Sequence, residues 1–295
     1  MQQLNHTNIN INIKMQKNQP SLGHTNFFIV FFSLAIIAAI FLISCLIGIG
    51  DTPLFCTESI SDEILPTTTT PMQLDAILHY ATSPRVPQQS LPEITLSFNV
   101  LQSISPCNFL VFGLGHDSLM WASFNPNGHT LFLEEDPLWV RTILKTAPNL
   151  NAAIINYRTK VTDADDLLSS YQSEPECSPS KGYIRGNTQC KLAITSLPEE
   201  AYDKEWDMIM IDAPRGYYNE APGRMGAIYS AAVMARNRKK PGVTHVFLHD
   251  VDRKVEKTYA QEFLCRKNLK KAVGRLWHFE IPPVENVTQN NATFC

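Results

Sequence analysis

The chain has 295 residues, 44% of them apolar and 18% charged, with 13 Gly and 19 Pro. That balance excludes a disordered tail, a collagen-like repeat and a coiled coil, and suits one large α/β domain with short extras. A formal net charge of −3 argues against a general nucleic-acid binder. Residues 1–26 carry Lys14 and Lys17 and no acid, and the 23 residues from Phe27 to Ile49 carry no charge at all. A helix of that length reaches about 34 Å, enough for a bilayer core of about 30 Å. The run is too long for a signal-peptide core and lacks the polar face of a buried helix. It predicts a single membrane anchor over 27–49, with a cytosolic tail over 1–26. The far side opens with Asp51, Glu58, Asp62 and Glu63, so the positive-inside rule places 50–295 in the lumen.

Residues 50–72 read as a stem, with a low-complexity Pro66–Pro71 stretch. A lumenal domain is expected over 73–295, opening with a short amphipathic helix that carries Leu74, Ile77 and Leu78. Seven cysteines divide into Cys45 inside the anchor and six beyond it, allowing up to three disulfides, with Cys177–Cys190 the favoured pair. Asn286 and Asn291 open glycosylation sequons.

Apolar strands are expected at 108–112, 130–133, 152–157, 206–211 and 243–248. Helices are expected at 118–124, 137–145, 163–171, 226–239 and 252–265, and an alternating strand at 273–281. Strands separated by helices imply an α/β domain built on a doubly wound, mainly parallel sheet. Ligands bind such sheets at the carboxyl ends of the strands.

Those ends hold the candidate site. Gly113 and Gly115 follow the first strand, and Asp117 opens the helix after them. The two glycines permit a tight turn and close approach to a ligand, although the third glycine of the dinucleotide fingerprint is replaced by Ser118. Glu134 ends the second strand, where an acid can bond a ribose diol. Asp212 ends the fourth strand, and His249 and Asp250 end the fifth. These three suit either an acid/base cluster or a hard-metal site, with Asp212 and Asp250 as the oxygen ligands. His249 is the one with an ordinary pKa suited to base chemistry near neutrality. Arg215 and Arg224 flank a Gly/Pro/Tyr-rich loop in which Tyr217 offers a face to a sugar ring.

The runs NFLVFGLGHDSLMW, FLEEDP, EWDMIMIDAPRGY, EAPGRM, THVFLHDVDRKVE and GRLWHFEIP resemble the plant glucuronoxylan 4-O-methyltransferases, over roughly residues 72–282. The resemblance implies a Rossmann-like class I fold that binds S-adenosylmethionine at Gly113, Gly115, Asp117 and Glu134. It implies a single-pass type II protein of the Golgi membrane that methylates the 4-hydroxyl of glucuronic acid on glucuronoxylan, alongside other xylan-biosynthesis enzymes. The wider family also includes arabinogalactan methyltransferases and an irregular-xylem branch, so arabinogalactan is the alternative acceptor. Arg215 and Arg224 would then bind the uronate carboxylate, His249 would accept the hydroxyl proton, and a divalent metal at Asp212 and Asp250 stays open. Two other classes compete. Asp250-Val251-Asp252 is a D-x-D that would suit a glycosyltransferase, and a non-catalytic scaffold of xylan synthesis would keep the fold without the chemistry.

Overall fold

The computed structural model describes residues 69–284 and 293–295. The expected anchor, the tail, most of the stem, Cys56 and both sequons lie outside the described residues. Among the described residues no helix is long and apolar enough to cross a membrane.

The domain begins earlier than residue 73. Thr70 caps helix α1 (Pro71–Thr82), accepting from the Gln73 amide while the Gln73 side chain accepts from the Thr70 amide. This reciprocal capping box, followed by proline at the first helical position, is a strong start signal. The face that α1 buries differs from expectation: Ala76 is buried, whereas Leu74, Ile77 and Leu78 are exposed. Helix α2 (Leu91–Ile104) is absent from the predicted elements, although Ser90 and Glu93 form another capping box before it.

The core is a seven-stranded sheet in the order β3-β2-β1-β4-β5-β7-β6. Its strands are β1 (Asn108–Phe112), β2 (His129–Glu134), β3 (Ala152–Ile154), β4 (Met208–Ile211), β5 (Thr244–Leu248), β6 (Leu269–Val273) and β7 (Leu276–Ile281). The first five pair in parallel, and β7 runs antiparallel to both β5 and β6. The doubly wound, Rossmann-like sheet expected from the alternating pattern is therefore present. β1 and β4 are central and buried almost throughout, which explains their unbroken apolar runs.

Two strands depart from expectation. β3 stops at Ile154, whose side chain is half exposed on the sheet edge. The single strand expected over 273–281 is instead a hairpin, turning at Gly274 with φ +54°. β6 carries Lys270 and Lys271 outward, and lysines on an edge strand guard it against pairing with another chain while removing its apolar signature.

The remaining helices cover both faces of the sheet: α3 (Ser118–Ser123), α4 (Pro137–Thr146), α5 (Ala164–Ser170), α6 (Glu199–Asp203), α7 (Met225–Arg236) and α8 (Lys254–Tyr259). α8 continues as a wider π-helical turn through Cys265, so the expected helix over 252–265 is only partly α-helical. α7 buries nearly every residue, and its small side chains let the loop around Leu192 approach closely. A Cβ added at Gly226 would stand 3.3 Å from the Leu192 carbonyl oxygen. Cys177–Cys190 forms as expected and Cys265–Cys295 ties down the C-terminus, while Cys107 is buried and free.

Glu93 anchors α2 to the far hairpin. One carboxylate oxygen accepts from the Ser90 amide and hydroxyl, both at 2.7 Å, and the other from the Arg275 amide at 2.6 Å. Glu93→Ala leaves these donors without their acceptor. It should lower unfolding stability by about 2 kcal/mol or more, read from the denaturant midpoint.

Candidate active site

The carboxyl ends of β1, β2, β4 and β5 open into a cavity of about 650 Å³, within the range of roughly 300–1,000 Å³ usual for small-molecule and cofactor sites. Gly113 adopts φ +128° after β1, a conformation that favours glycine, and a Cβ there would approach that of Ala213 to 3.2 Å. A Cβ on Gly115 would stand 2.7 Å from the Asp117 carboxylate. Both glycines thus leave the backbone open beside the cavity. Asp117 lines the cavity and accepts from the Trp121 indole at 2.9 Å. Burial, aided by the negative charge of Asp212, raises its pKa.

Glu134 sits where a ribose-binding acid is expected, on the cavity wall beside the glycine turn. It accepts backbone N–H bonds from Leu114 at 3.1 Å, Glu135 at 3.0 Å and Asp136 at 3.1 Å. A carboxylate offers about four acceptor positions, so one remains for a ligand hydroxyl. Burial beside Glu135 outweighs the amides and pushes the pKa of Glu134 up to about 7.

Asp212 also lines the cavity, at the end of β4 next to Gly113. One of its oxygens receives Gln89 Nε2 at 3.1 Å, while the other meets His249 Nδ1 at 2.9 Å and Arg224 at 3.3 Å. Burial works against its charge, but the His249 bond and the Arg224 cation prevail and hold its pKa below the usual carboxylate value.

The structure corrects the role of His249. The ring is buried behind Asp212 and does not line the cavity. Its Nδ1 is taken by Asp212, and its Nε2 lies 3.8 Å from Glu93 Oε1, without a hydrogen-bond partner among the described residues. In this arrangement it contacts Asp212 and not the cavity, a position from which it orients that carboxylate.

Arg224 is also reassigned. It is buried, with Nη1 on the His249 carbonyl at 2.6 Å, Nε on the Pro214 carbonyl at 3.3 Å, and Nη2 on the Asp212 carbonyl and on Asp250 at 2.8 Å. It lines the cavity, but Nε, Nη1 and Nη2 each already bond a protein oxygen, so its main engagement is with the strand ends. Asp250, at φ +61°, is enclosed by Arg224, Arg253 and Arg275.

This arrangement does not fit a metal ion. Asp212, His249 and Asp250 do bring ligand atoms within 4.8 Å of one another. However, the Arg224 guanidinium already bridges the two carboxylates as the local cation, and a divalent ion there would stand against a buried positive charge. The D-x-D expectation fails on the same grounds, since Asp250 is locked among arginines and Asp252 is exposed.

Arg215 and Tyr217 do line the cavity. Arg215 is half exposed and pairs with Asp136 at 3.0 Å, while Tyr217 is exposed and meets Tyr218 edge-on. Sequence reasoning missed Arg85 and His116. Arg85 is an exposed cavity residue 2.6 Å from His116 Nε2, and among the described residues it pairs with no carboxylate. No strand end points to it, because it lies in the connection between α1 and α2. Its neighbour Gln89, buried on Asp212, is the local sign that this connection is part of the site.

Residues 92–279 match the family model described as IRX15/IRX15L/GXM. The chain belongs to this family. Arabinogalactan O-methyltransferase 1 of Arabidopsis thaliana is 63% identical over 229 residues, covering 77% of this chain and 79% of that protein. Glucuronoxylan 4-O-methyltransferase 1 of the same plant is 50% identical over 222 residues, covering 75% and 78%. Protein IRREGULAR XYLEM 15, also from Arabidopsis thaliana, is 37% identical over 258 residues, covering 83% and 75%.

Removing Arg224 takes a buried cation from between Asp212 and Asp250, although Arg253 and Arg275 still face Asp250; breaking a buried pair in this way costs up to about 3–5 kcal/mol. Arg224→Ala should therefore show its main effect as a lowered melting temperature in the absence of any ligand.

Proposed function

We propose that the chain is an S-adenosylmethionine-dependent O-methyltransferase acting on glucuronic acid of a plant cell-wall polysaccharide. The observation that carries this reading is the cavity-facing set of Gly113, Gly115, Glu134 and Asp212 at adjoining strand ends, in a family whose relatives include O-methyltransferases. Arabinogalactan is the first acceptor to test, because the relative named for it shares 63% identity against 50% for the glucuronoxylan enzyme. Glucuronoxylan, favoured by the sequence motifs, is the second.

When bound, S-adenosylmethionine supplies a methyl group activated on a sulfonium. The open backbone at Gly113 and Gly115 would admit its amino-acid portion beside Asp117, and Glu134 would accept a ribose hydroxyl. The sugar hydroxyl is then presented to Asp212, whose carboxylate faces the cavity. Asp212 would take the proton of that hydroxyl as methylation of its oxygen releases S-adenosylhomocysteine. Holding the two reactants in line supplies much of the rate, and a positioned base adds typically 10²–10⁴-fold. His249 and Arg224 hold Asp212 in place from behind.

The uronate carboxylate needs a cation with a free donor. Arg85 and the rim residue Arg215 meet that need, and Arg215 can exchange its exposed bond to Asp136 for one to substrate. Tyr217 would line the sugar's path.

The Golgi membrane location, the type II anchor over 27–49 and association with other xylan-biosynthesis enzymes belong to the same proposal. Two disulfides in the described residues support an oxidising lumen, as do the charges that flank the apolar run.

The decisive assay measures methyl transfer by the full-length chain to arabinogalactan and glucuronoxylan oligosaccharides. Failure on both acceptors would refute the reading and favour a scaffold. Asp212→Asn should lower kcat at least about 100-fold. Arg85→Ala and Arg215→Ala should each raise the acceptor KM about tenfold, with kcat largely kept.

Glu134 adds a pH signature. Its raised pKa means the folded chain binds an extra proton near neutrality. That contribution to stability is present below the usual glutamate value and fades as pH rises through about 7. Cofactor binding follows the opposite sense, because the ionised carboxylate is the better acceptor for a ribose hydroxyl. Affinity for S-adenosylhomocysteine should rise as pH climbs through this range in the wild type, and stay flat in Glu134→Gln.

A further inference from the structure

A second cluster of ligand-type side chains stands away from the cavity, on the strands β5 and β7. His245 and Glu280 are directly opposed across this antiparallel pair, and His278 is the next residue on the same face of β7. His245 Nδ1 lies 3.1 Å from His278 Nε2 and 4.0 Å from Glu280 Oε1, and all three ligand atoms fall within 4.8 Å of one another. None of the three lines the cavity.

We propose that His245, His278 and Glu280 form a binding site for a zinc-class divalent ion that clamps β5 to β7. Two imidazoles and one carboxylate are a recurrent zinc ligand set, with a fourth position left to water, and imidazole suits zinc far better than magnesium or calcium. Tetrahedral ligands at about 2.0–2.1 Å from an ion stand somewhat more than 3 Å apart, close to the observed separation of the two nitrogens. The ring of His278 is already fixed, stacked on Phe247 with centroids 4.3 Å apart and planes 3° from parallel. Glu280 divides its oxygens: Oε2 faces Lys270 at 3.3 Å, leaving Oε1 toward the rings. Glu280 and His245 are partly exposed, which gives an ion a way in, while His278 is buried.

The test uses the full-length chain in detergent, stripped with chelator, then titrated with Zn²⁺ and with Co²⁺ as a spectroscopic probe. The wild type should retain one equivalent of zinc after desalting, melt at a higher temperature with zinc than without, and give cobalt ligand-field bands of nitrogen and oxygen coordination. His245→Ala and Glu280→Gln should weaken zinc binding by about 100-fold and abolish the zinc-dependent shift. Their melting temperatures without zinc should stay near that of the stripped wild type, which separates a lost ligand from a lost fold. The absence of saturable zinc binding would overturn the proposal, as would retention of full affinity by both variants. Loss of zinc in Asp212→Asn but not in His245→Ala would move the ion to the other cluster and equally overturn it.

Discussion

The buried guanidinium of Arg224 is the constraint around which the strand ends are organised. It bonds the carbonyl of Asp212 at the end of β4, the carbonyl of His249 at the end of β5, the carbonyl of Pro214 in the following loop, and the carboxylate of Asp250. Taking a cation out of water is expensive, and that cost is recovered only when every donor is matched. Here each donor group meets an oxygen, and two acids that would otherwise repel each other share one positive charge. Asp212 can then remain ionised while facing a cavity, which is the state in which it can accept a proton.

The same constraint divides the basic residues by task. Arg253 and Arg275 complete the enclosure of Asp250, which lines the cavity within a cluster of ion pairs. Arg215 and Arg85 stay at the cavity wall, one in an exposed ion pair and the other against a histidine. Asp212 bonds His249, whose buried ring lies against Glu93 of α2 without a hydrogen bond to it, and Glu93 in turn grips the hairpin turn. The placement of Asp212 thus depends on an element, α2, that contributes no side chain named in the chemistry.

The fold was legible because buried parallel strands must be apolar on both faces, and runs such as Phe109–Phe112 and Met208–Ile211 have few other readings. The positions of Gly113, Glu134 and Asp212 were legible for a related reason, since ligands gather at strand carboxyl ends. What could not be read was the partner of each charge. Arg215 and Arg224 lie nine residues apart on one loop and look equivalent, yet one is exposed and the other buried among carbonyls. His249 has the right chemistry for a base, but whether a side chain at a strand end turns toward the cavity or away from it is decided by packing. Helix α2 was missed although the Ser90/Glu93 box announced it, and β6 was missed because an edge strand protected by lysine has no apolar run to find.

These placements also bear on how an acidic chain would hold an acidic polymer. The net charge of −3 becomes −5 beyond residue 49 once Lys14 and Lys17 are set aside, so the domain as a whole would repel a uronate-rich chain. Over distances beyond about 8 Å, physiological salt screens that repulsion. Recognition then rests on short-range contacts at the cavity, where a planar guanidinium can engage a carboxylate through two bonds. Arg224 is poorly placed to serve, because withdrawing it would take away the cation that Asp212 and Asp250 share. Only arginines whose loss leaves no buried acid exposed to repulsion are free to follow a substrate, and at the cavity wall Arg85 and Arg215 satisfy that condition. Stability and acceptor binding are thereby assigned to different cations, so the two can be altered independently.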